Sequence, residues 1–146
     1  MFTTTRALAV GFAVLVAASS VGPMQARATS YEQLGAWCMG EGNVSEDVQI
    51  SSCTEIINSG QFPVEGLNQA YFHRAYSYAQ TGRYDLCVAD LNSAISYWPQ
   101  DATAYWVRHM CKQDLGDTAG AEADKRAAKS LDPAVEQRWE DFMRGR

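Results

Sequence analysis

A period of 34 residues is the feature of this sequence that most constrains its fold. When the chain is aligned with itself at an offset of 34, nine positions between 68 and 101 carry the same residue in the next copy. Chance would give about two matches in such a window, so the period indicates a repeat array in which each unit is one supersecondary element. The repeated residues are Ala70, Tyr71, Arg74, Gly82, Ala89, Asp90, Ala94, Ser96 and Pro99, matched by Ala104, Tyr105, Arg108, Gly116, Ala123, Asp124, Ala128, Ser130 and Pro133.

Each copy has the pattern of a helical hairpin. Two amphipathic segments flank a glycine, and a proline closes each copy; both residues are signals for the ends of helices. Asp101 and Asp117 stand where helix N-caps belong. The predicted helices are Leu67–Gln80 and Tyr84–Tyr97 in the first copy, and Ala102–Leu115 and Ala119–Ser130 in the second.

This unit resembles the tetratricopeptide repeat (TPR), which is also a 34-residue helical hairpin. The copy over 68–101 follows the family pattern well, whereas the copy over 102–135 departs from it at His109, Lys112 and Lys125. Such departures suggest a terminal, less well buried unit. The residues that carry the resemblance in the first copy are Tyr71, Ala75, Tyr78, Cys87, Leu91, Ala94 and Pro99.

Traces of the period extend towards the N-terminus, so residues 34–67 are interpreted as a degenerate repeat. We expect a short helix over Thr29–Gly40 with Leu34 and Trp37 on its inner side. A second helix should follow with Ser45 as its N-cap, because a serine hydroxyl there accepts a hydrogen bond from a free backbone N–H.

A last helix is predicted over Pro133–Arg144, with an apolar stripe that would cover the open end of the array. The stripe consists of Val135, Trp139, Phe142 and Met143. The expected fold class is therefore all-α: an α-α superhelix of about three TPR-like hairpins plus a C-terminal capping helix. Its parts, within a domain over 29–146, are the degenerate repeat 34–67, the repeats 68–101 and 102–135, and the capping helix 133–144.

Residues 1–28 have the layout of a secretory signal peptide. They contain no acidic residue, and an apolar run from Ala7 to Val21 leads to the sequence Ala26-Arg27-Ala28, a small-x-small cleavage site. A transmembrane anchor is the alternative, but the run is shorter than the roughly 20 residues that span a bilayer. We therefore expect an exported protein, periplasmic or secreted, with no membrane association after cleavage.

The charge balance argues against nucleic acid as a partner. The chain has 12 basic and 17 acidic residues, and removal of Arg6 and Arg27 with the signal peptide changes its net charge from −5 to −7. A surface with this excess of negative charge repels phosphate groups, and no basic patch offsets it.

Four cysteines in an exported chain of this size suggest disulfides. In an antiparallel hairpin, residues equidistant from the turn lie level with each other. Cys38 and Cys53 are centred on the turn at Ser45, and Cys87 and Cys111 are centred on Pro99, so each pair can be bridged if its side chains face each other. The alternative is that they are small apolar core residues, as Cys87 would be at a position where the family commonly has alanine.

Few residues suggest catalysis. His73 and His109 are the two histidines, and His109 occupies a small, buried position of the family pattern, which favours a packed side chain. No phosphate-binding loop, nucleophile elbow or metal-ligand motif occurs. We therefore expect no enzyme activity, no cofactor and no metal.

The resemblance implies a groove lined by the first helix of each hairpin. The groove positions include Gln69, Phe72, His73, Tyr76, Trp106, Met110 and Gln113. Four of these side chains, Phe72, Tyr76, Trp106 and Met110, would form an aromatic, apolar strip of the kind that is enriched at interface cores. The alternative is that the last helix folds back and buries this strip.

The expected function is an exported protein–protein interaction module that binds an extended apolar segment or an amphipathic helix of a partner. Two other classes remain open. One is a structural module that self-associates as a homodimer through the aromatic strip. The other is an enzyme or enzyme subunit, which loss of turnover on changing His73 would reveal.

The signal-peptide interpretation predicts that the exported protein begins at Thr29. Mass spectrometry of the intact protein from its natural source should give the mass of residues 29–146. Recovery of the chain from the membrane fraction with residues 1–28 still attached would support the anchor instead.

Overall fold

The computed structural model describes the backbone of residues 23–145 and the side chains of residues 31–145. The apolar run of the predicted signal peptide falls among residues 1–22, outside this range. The described chain consists of seven α-helices without a strand, which confirms the all-α class. The helices are α1 (Pro23–Cys38), α2 (Glu46–Ser59), α3 (Val64–Gln80), α4 (Tyr84–Tyr97), α5 (Ala102–Asp114), α6 (Thr118–Leu131) and α7 (Val135–Arg144).

Side chains at the predicted N-caps make the expected hydrogen bonds. The Ser45 hydroxyl accepts from the backbone N–H of Val48 at 3.4 Å. The carboxylate of Asp101 accepts from two backbone N–H groups of the first turn of α5, and Asp117 accepts from Gly120 N–H at 3.0 Å. These bonds satisfy backbone donors that have no partner within the helix.

Several helix ends and one orientation differ from the prediction. Helix α1 begins at Pro23, six residues before the predicted start at Thr29. Helix α7 begins at Val135 rather than Pro133, because the Asp132 carboxylate accepts the Ala134 N–H in a turn that precedes the helix. The predicted inner position of Trp37 is wrong, since its side chain is exposed, whereas Leu34 is buried as expected.

Each of the helices α1 to α6 packs against the next one in the chain, and α3 also contacts both α1 and α5. Small residues allow these close approaches: Ala75, Ala94, Ala104 and Ala128 have no exposed surface. Two of them, Ala94 and Ala128, are 34 residues apart. The period in the sequence therefore corresponds to repeated packing positions.

A buried ion pair recurs in both copies of the repeat. Arg74 on α3 donates two hydrogen bonds to Asp90 on α4, at 2.7 and 2.8 Å. Arg108 on α5 makes the same pair of bonds to Asp124 on α6, at 2.8 and 2.6 Å. Such two-point contacts between guanidinium and carboxylate fix relative orientation as well as distance. Each pair therefore holds the two helices of its hairpin in register.

Both cysteine pairs that the sequence places level with each other are bridged, so the alternative of free core cysteines is wrong. Cys38–Cys53 joins α1 to α2 with a Cα–Cα distance of 4.7 Å, and Cys87–Cys111 joins α4 to α5 with a Cα–Cα distance of 6.4 Å. Closing loops of this length stabilises a fold by about 3 kcal/mol on the loop-entropy model. The first bridge fastens the N-terminal hairpin, and the second links two hairpins.

Helix α7 packs across α5 and α6, but its apolar stripe is only partly buried. Val135 is buried against Trp106 and Ala128, and Trp139 is half-buried. Phe142 and Met143 are 50% and 42% exposed, because the distal half of α7 extends over fewer neighbours than its first turn.

The pKa of Asp124 determines a pH dependence of stability. Burial raises this pKa, but hydrogen bonds from Arg108 and Lys112 outweigh that effect and lower it below the usual value. A lowered pKa in the folded state adds stability above the unfolded-state pKa of about 3.9, and this contribution is lost as the pH falls through the folded-state pKa.

We predict that Asp124→Asn lowers the free energy of unfolding by about 3 kcal/mol at pH 7, because it leaves buried cations unpaired. Urea denaturation should show this difference shrinking below about pH 4. Asp85→Asn, an exposed position on α4, is the matched control and should behave like the parent. A difference for Asp124→Asn that stays constant down to pH 2 would contradict the assignment.

Candidate functional site

The predicted groove residues fall into three groups. Phe72, His73 and Tyr76 on α3 line one pocket. Trp106 and Met110 on α5 lie beneath or beside α7. Gln69 and Gln113 are exposed and line neither this pocket nor the α7 contact. We call the surface formed by Phe72, His73, Tyr76, Trp106 and Met110 the α3–α5 face.

Helix α7 lies against the α3–α5 face and covers part of it. Tyr76 is 8% exposed and Trp106 is 6% exposed. The Tyr76 ring meets the Trp139 ring edge-on with centroids 5.8 Å apart, and its hydroxyl donates to Met143 Sδ at 3.4 Å. The alternative weighed from the sequence, burial by the last helix, therefore holds for Tyr76 and Trp106, whereas Phe72 and Met110 are only half-buried.

A pocket of about 380 Å³ remains between α3 and α7. We call it the main pocket because aromatic side chains of both helices line it, whereas the pocket of about 620 Å³ beside Trp98 and Leu131 is lined mainly by polar residues. Most of the lining of the main pocket is apolar or aromatic, which is the usual composition of a binding cavity. The residues that line it include Met39, Phe72, His73, Tyr76, Trp139 and Phe142.

The polar groups of the main pocket are few. Gln49 is buried with both ends of its amide satisfied: Nε2 donates to Cys38 O at 2.9 Å, and Oε1 accepts from Ser77 Oγ at 2.7 Å. Arg138 is paired with the Asp132 carboxylate at the rim. No carboxylate is among the described residues that line the main pocket, so it offers no counter-charge to a basic ligand.

A smaller pocket of about 220 Å³ borders the same contact. It shares Tyr76 and Trp139 with the main pocket and adds Ala79, Met110 and Met143. Helix α7 thus leaves unfilled apolar space at two places along the α3–α5 face.

The two histidines have different environments. His109 is buried, and its Nδ1 lies 3.0 Å from the carbonyl oxygen of Ala121, so it is a packed side chain as its position in the repeat suggested. His73 is half-buried at the main pocket, with its ring edge-on to Phe72 at 5.7 Å. Residues 31–145 hold no group of three or more His, Cys, Asp or Glu side chains that suits a metal ion.

Sequence reasoning missed the contributions of Trp139 and Phe142 to this site. The sequence assigned both to a helix that caps the end of the array, and in the structure both also line the main pocket. Their apolar spacing was visible in the sequence, but that spacing shows only that a helix has an apolar face. The turn at 132–134 determines which surface of the protein the apolar side of α7 packs against.

Because Trp106 is buried, its substitution would lower the stability of the protein and would not report on partner binding alone. We predict that Trp106→Ala lowers the free energy of unfolding by about 3–5 kcal/mol, because it removes a large side chain from between α5, α6 and α7. Urea denaturation measures this loss. A midpoint within experimental error of the parent would mean that α7 does not cover Trp106 in solution.

Within residues 23–145, none of the helices has the length and hydropathy needed to cross a bilayer. Searches for similar proteins give no match to a protein-family model, a curated protein or a solved structure.

Proposed function

We propose that this chain is an exported, TPR-type interaction module that binds an apolar segment of a partner protein on the α3–α5 face. The proposal takes α1 to α6 as three hairpins and α7 as the closing helix. The observation that carries it is the main pocket: an aromatic cavity of about 380 Å³ that opens on the face predicted to bind.

Two observations support the TPR-type arrangement. The 34-residue period coincides with recurring structural positions, such as the Arg74–Asp90 and Arg108–Asp124 pairs. Helix α3 also contacts both α1 and α5, so the first helices of successive hairpins are neighbours, as in a stack of repeats. Export is supported by the sequence of residues 1–28 and is compatible with two disulfides.

The size and lining of the main pocket define the group that it binds best. Its volume is near the lower end of the range of about 300–1,000 Å³ that is typical of binding cavities, which suits one or two side chains. Aromatic walls without a carboxylate favour a neutral apolar group over lysine or arginine. The partner should therefore insert a leucine, methionine or aromatic side chain.

A binding module is favoured over an enzyme by the chemistry of the site. All four cysteines are in disulfides, so no thiolate is available as a nucleophile.

Site-specific photo-crosslinking tests the proposal. A photoreactive phenylalanine analogue at Met39, an exposed side chain of the main pocket, should capture a partner protein from an extract of the cells that naturally make this chain. The same analogue at Leu86, a similarly exposed apolar side chain on α4, is the control. Capture of the same proteins from both positions would contradict a site on the α3–α5 face.

We further predict that Thr103→Trp weakens binding of the captured partner at least tenfold, because the indole would occupy the main pocket. Thr103 lies in the first turn of α5 and lines that pocket. Thr118→Trp, in the first turn of α6 at an exposed position, is the matched control. Isothermal titration calorimetry measures both dissociation constants, and equal values for Thr103→Trp and the parent would contradict the site.

A further inference from the structure

We infer that the partner segment is an amphipathic helix that takes the place of α7 on the α3–α5 face. It would carry apolar side chains at intervals of four residues, with a large aromatic residue in the middle. This inference rests on the proposed function, to which it adds the partner's chemistry and an intramolecular competitor. The α3 and α5 side of the main pocket, including Phe72, Tyr76 and Thr103, stays as the binding surface, and the partner helix takes over the side that α7 supplies.

Helix α7 itself shows that the face accepts such a helix. Val135, Trp139 and Met143 are four residues apart, so they lie along one side of α7. Each contacts the body of the protein. Val135 packs with Trp106, the Trp139 ring meets Tyr76 edge-on, and Met143 Sδ accepts the hydrogen bond of the Tyr76 hydroxyl.

The fit of α7 to the face is incomplete. Val135 is the one buried residue of this ten-residue helix, and Phe142 and Met143 keep about half of their surface in solvent. Pockets of about 380 and 220 Å³ remain where α7 meets Tyr76. A helix with larger apolar side chains at these places would bury more surface than α7 does, and it would bind more tightly for that reason.

Among residues 31–145, few polar contacts hold α7 to the rest of the fold. The Arg138–Asp132 pair ties α7 to its own connection with α6, and the Tyr76 hydroxyl bonds Met143. Three residues, 132–134, separate the two helices, and Pro133 has no N–H to bond. The salt bridge between Lys129 and Glu136, at 2.6 Å, joins α7 to α6 at an exposed position, where ion pairs contribute little. Arg144 pairs within α7 itself.

Departure of α7 would uncover a continuous apolar surface. Trp106 is 6% exposed and Tyr76 is 8% exposed with α7 in place, and both rings would become available to an incoming helix. Aromatic side chains at the centre of an interface contribute most of its binding energy. While α7 is docked, a partner can bind this surface only if it displaces α7.

The test uses the full chain and a fluorescein-labelled peptide with the sequence of residues 133–146 as the helical probe. Val135→Asp places a charge at the most buried position of α7 and should undock it. Fluorescence anisotropy should show the probe binding at least tenfold more tightly to this variant than to the parent, whose own α7 is present at high effective concentration. A probe with serine in place of Val135 and Trp139 should not bind.

Ala134→Asp is the matched control, because it adds the same charge at the exposed residue that precedes Val135, where an acidic side chain suits the start of a helix, and it should leave binding as in the parent. Equal affinities of the probe for Val135→Asp and the parent would overturn the inference. The inference would also be overturned if the parent formed a dimer at high concentration and Val135→Asp abolished that dimer. The face would then be covered by a second copy of the chain.

Hydrogen exchange of the unmodified protein gives a second measurement, which does not depend on the folding of a variant. The amides of α7 should exchange at least tenfold faster than those of α3 and α4, and equal protection would overturn the inference. If Thr103→Trp blocks the captured partner while Val135→Asp leaves probe binding unchanged, the binding site stands and the displacement of α7 is wrong.

Discussion

The structure depends on a buried arginine–aspartate pair that occurs once in each of two successive hairpins. Arg74 binds Asp90 within its own hairpin and also donates to Thr54 Oγ1 on α2, at 2.9 Å. Arg108 binds Asp124 in the same way and also donates to Asn92 Oδ1 on α4, at 2.7 Å. Each guanidinium thus joins three helices. The ion pairs hold α3 to α4 and α5 to α6, and the additional bonds to Thr54 and Asn92 connect each of these helix pairs to the preceding helix.

The α3–α5 face results from this arrangement of helices. Phe72 and Trp106 are 34 residues apart, as are Tyr76 and Met110, and the packing of α3 against α5 places these side chains near one another and near α7. Exposure of these four apolar side chains to water would be unfavourable, and a soluble protein usually covers a patch of this kind. Helix α7 covers Tyr76 and Trp106 and leaves pockets beside them. In the proposed function, the rings that α7 covers for stability are the same rings that would contact a partner.

The disulfides reinforce the array where repeat packing is weakest. The hairpin of α1 and α2 has little of the repeat pattern, and Cys38–Cys53 fastens its two helices directly. Cys87–Cys111 crosses from the second helix of one hairpin to the first helix of the next, so it joins successive hairpins, as does the Arg108–Asn92 bond. Both bridges lie in the core, and all four cysteines are buried. An oxidising compartment suits this design.

The sequence by itself determined the features that depend on local chemistry and on spacing along the chain. Helix α4 has the predicted bounds, and Ser45, Asp101 and Asp117 are N-caps. Both cysteine pairs join adjacent helices, which their positions around the turns allowed. The recurrence of Arg74 and Asp90 was also visible, but their pairing was not, because it depends on how α3 and α4 face each other. Tertiary structure alone decided the course of α7, the burial of Tyr76 and Trp106, and the exposure of Trp37. An apolar stripe shows that a helix has a side to bury, and only the packing of the whole chain selects the surface that covers it.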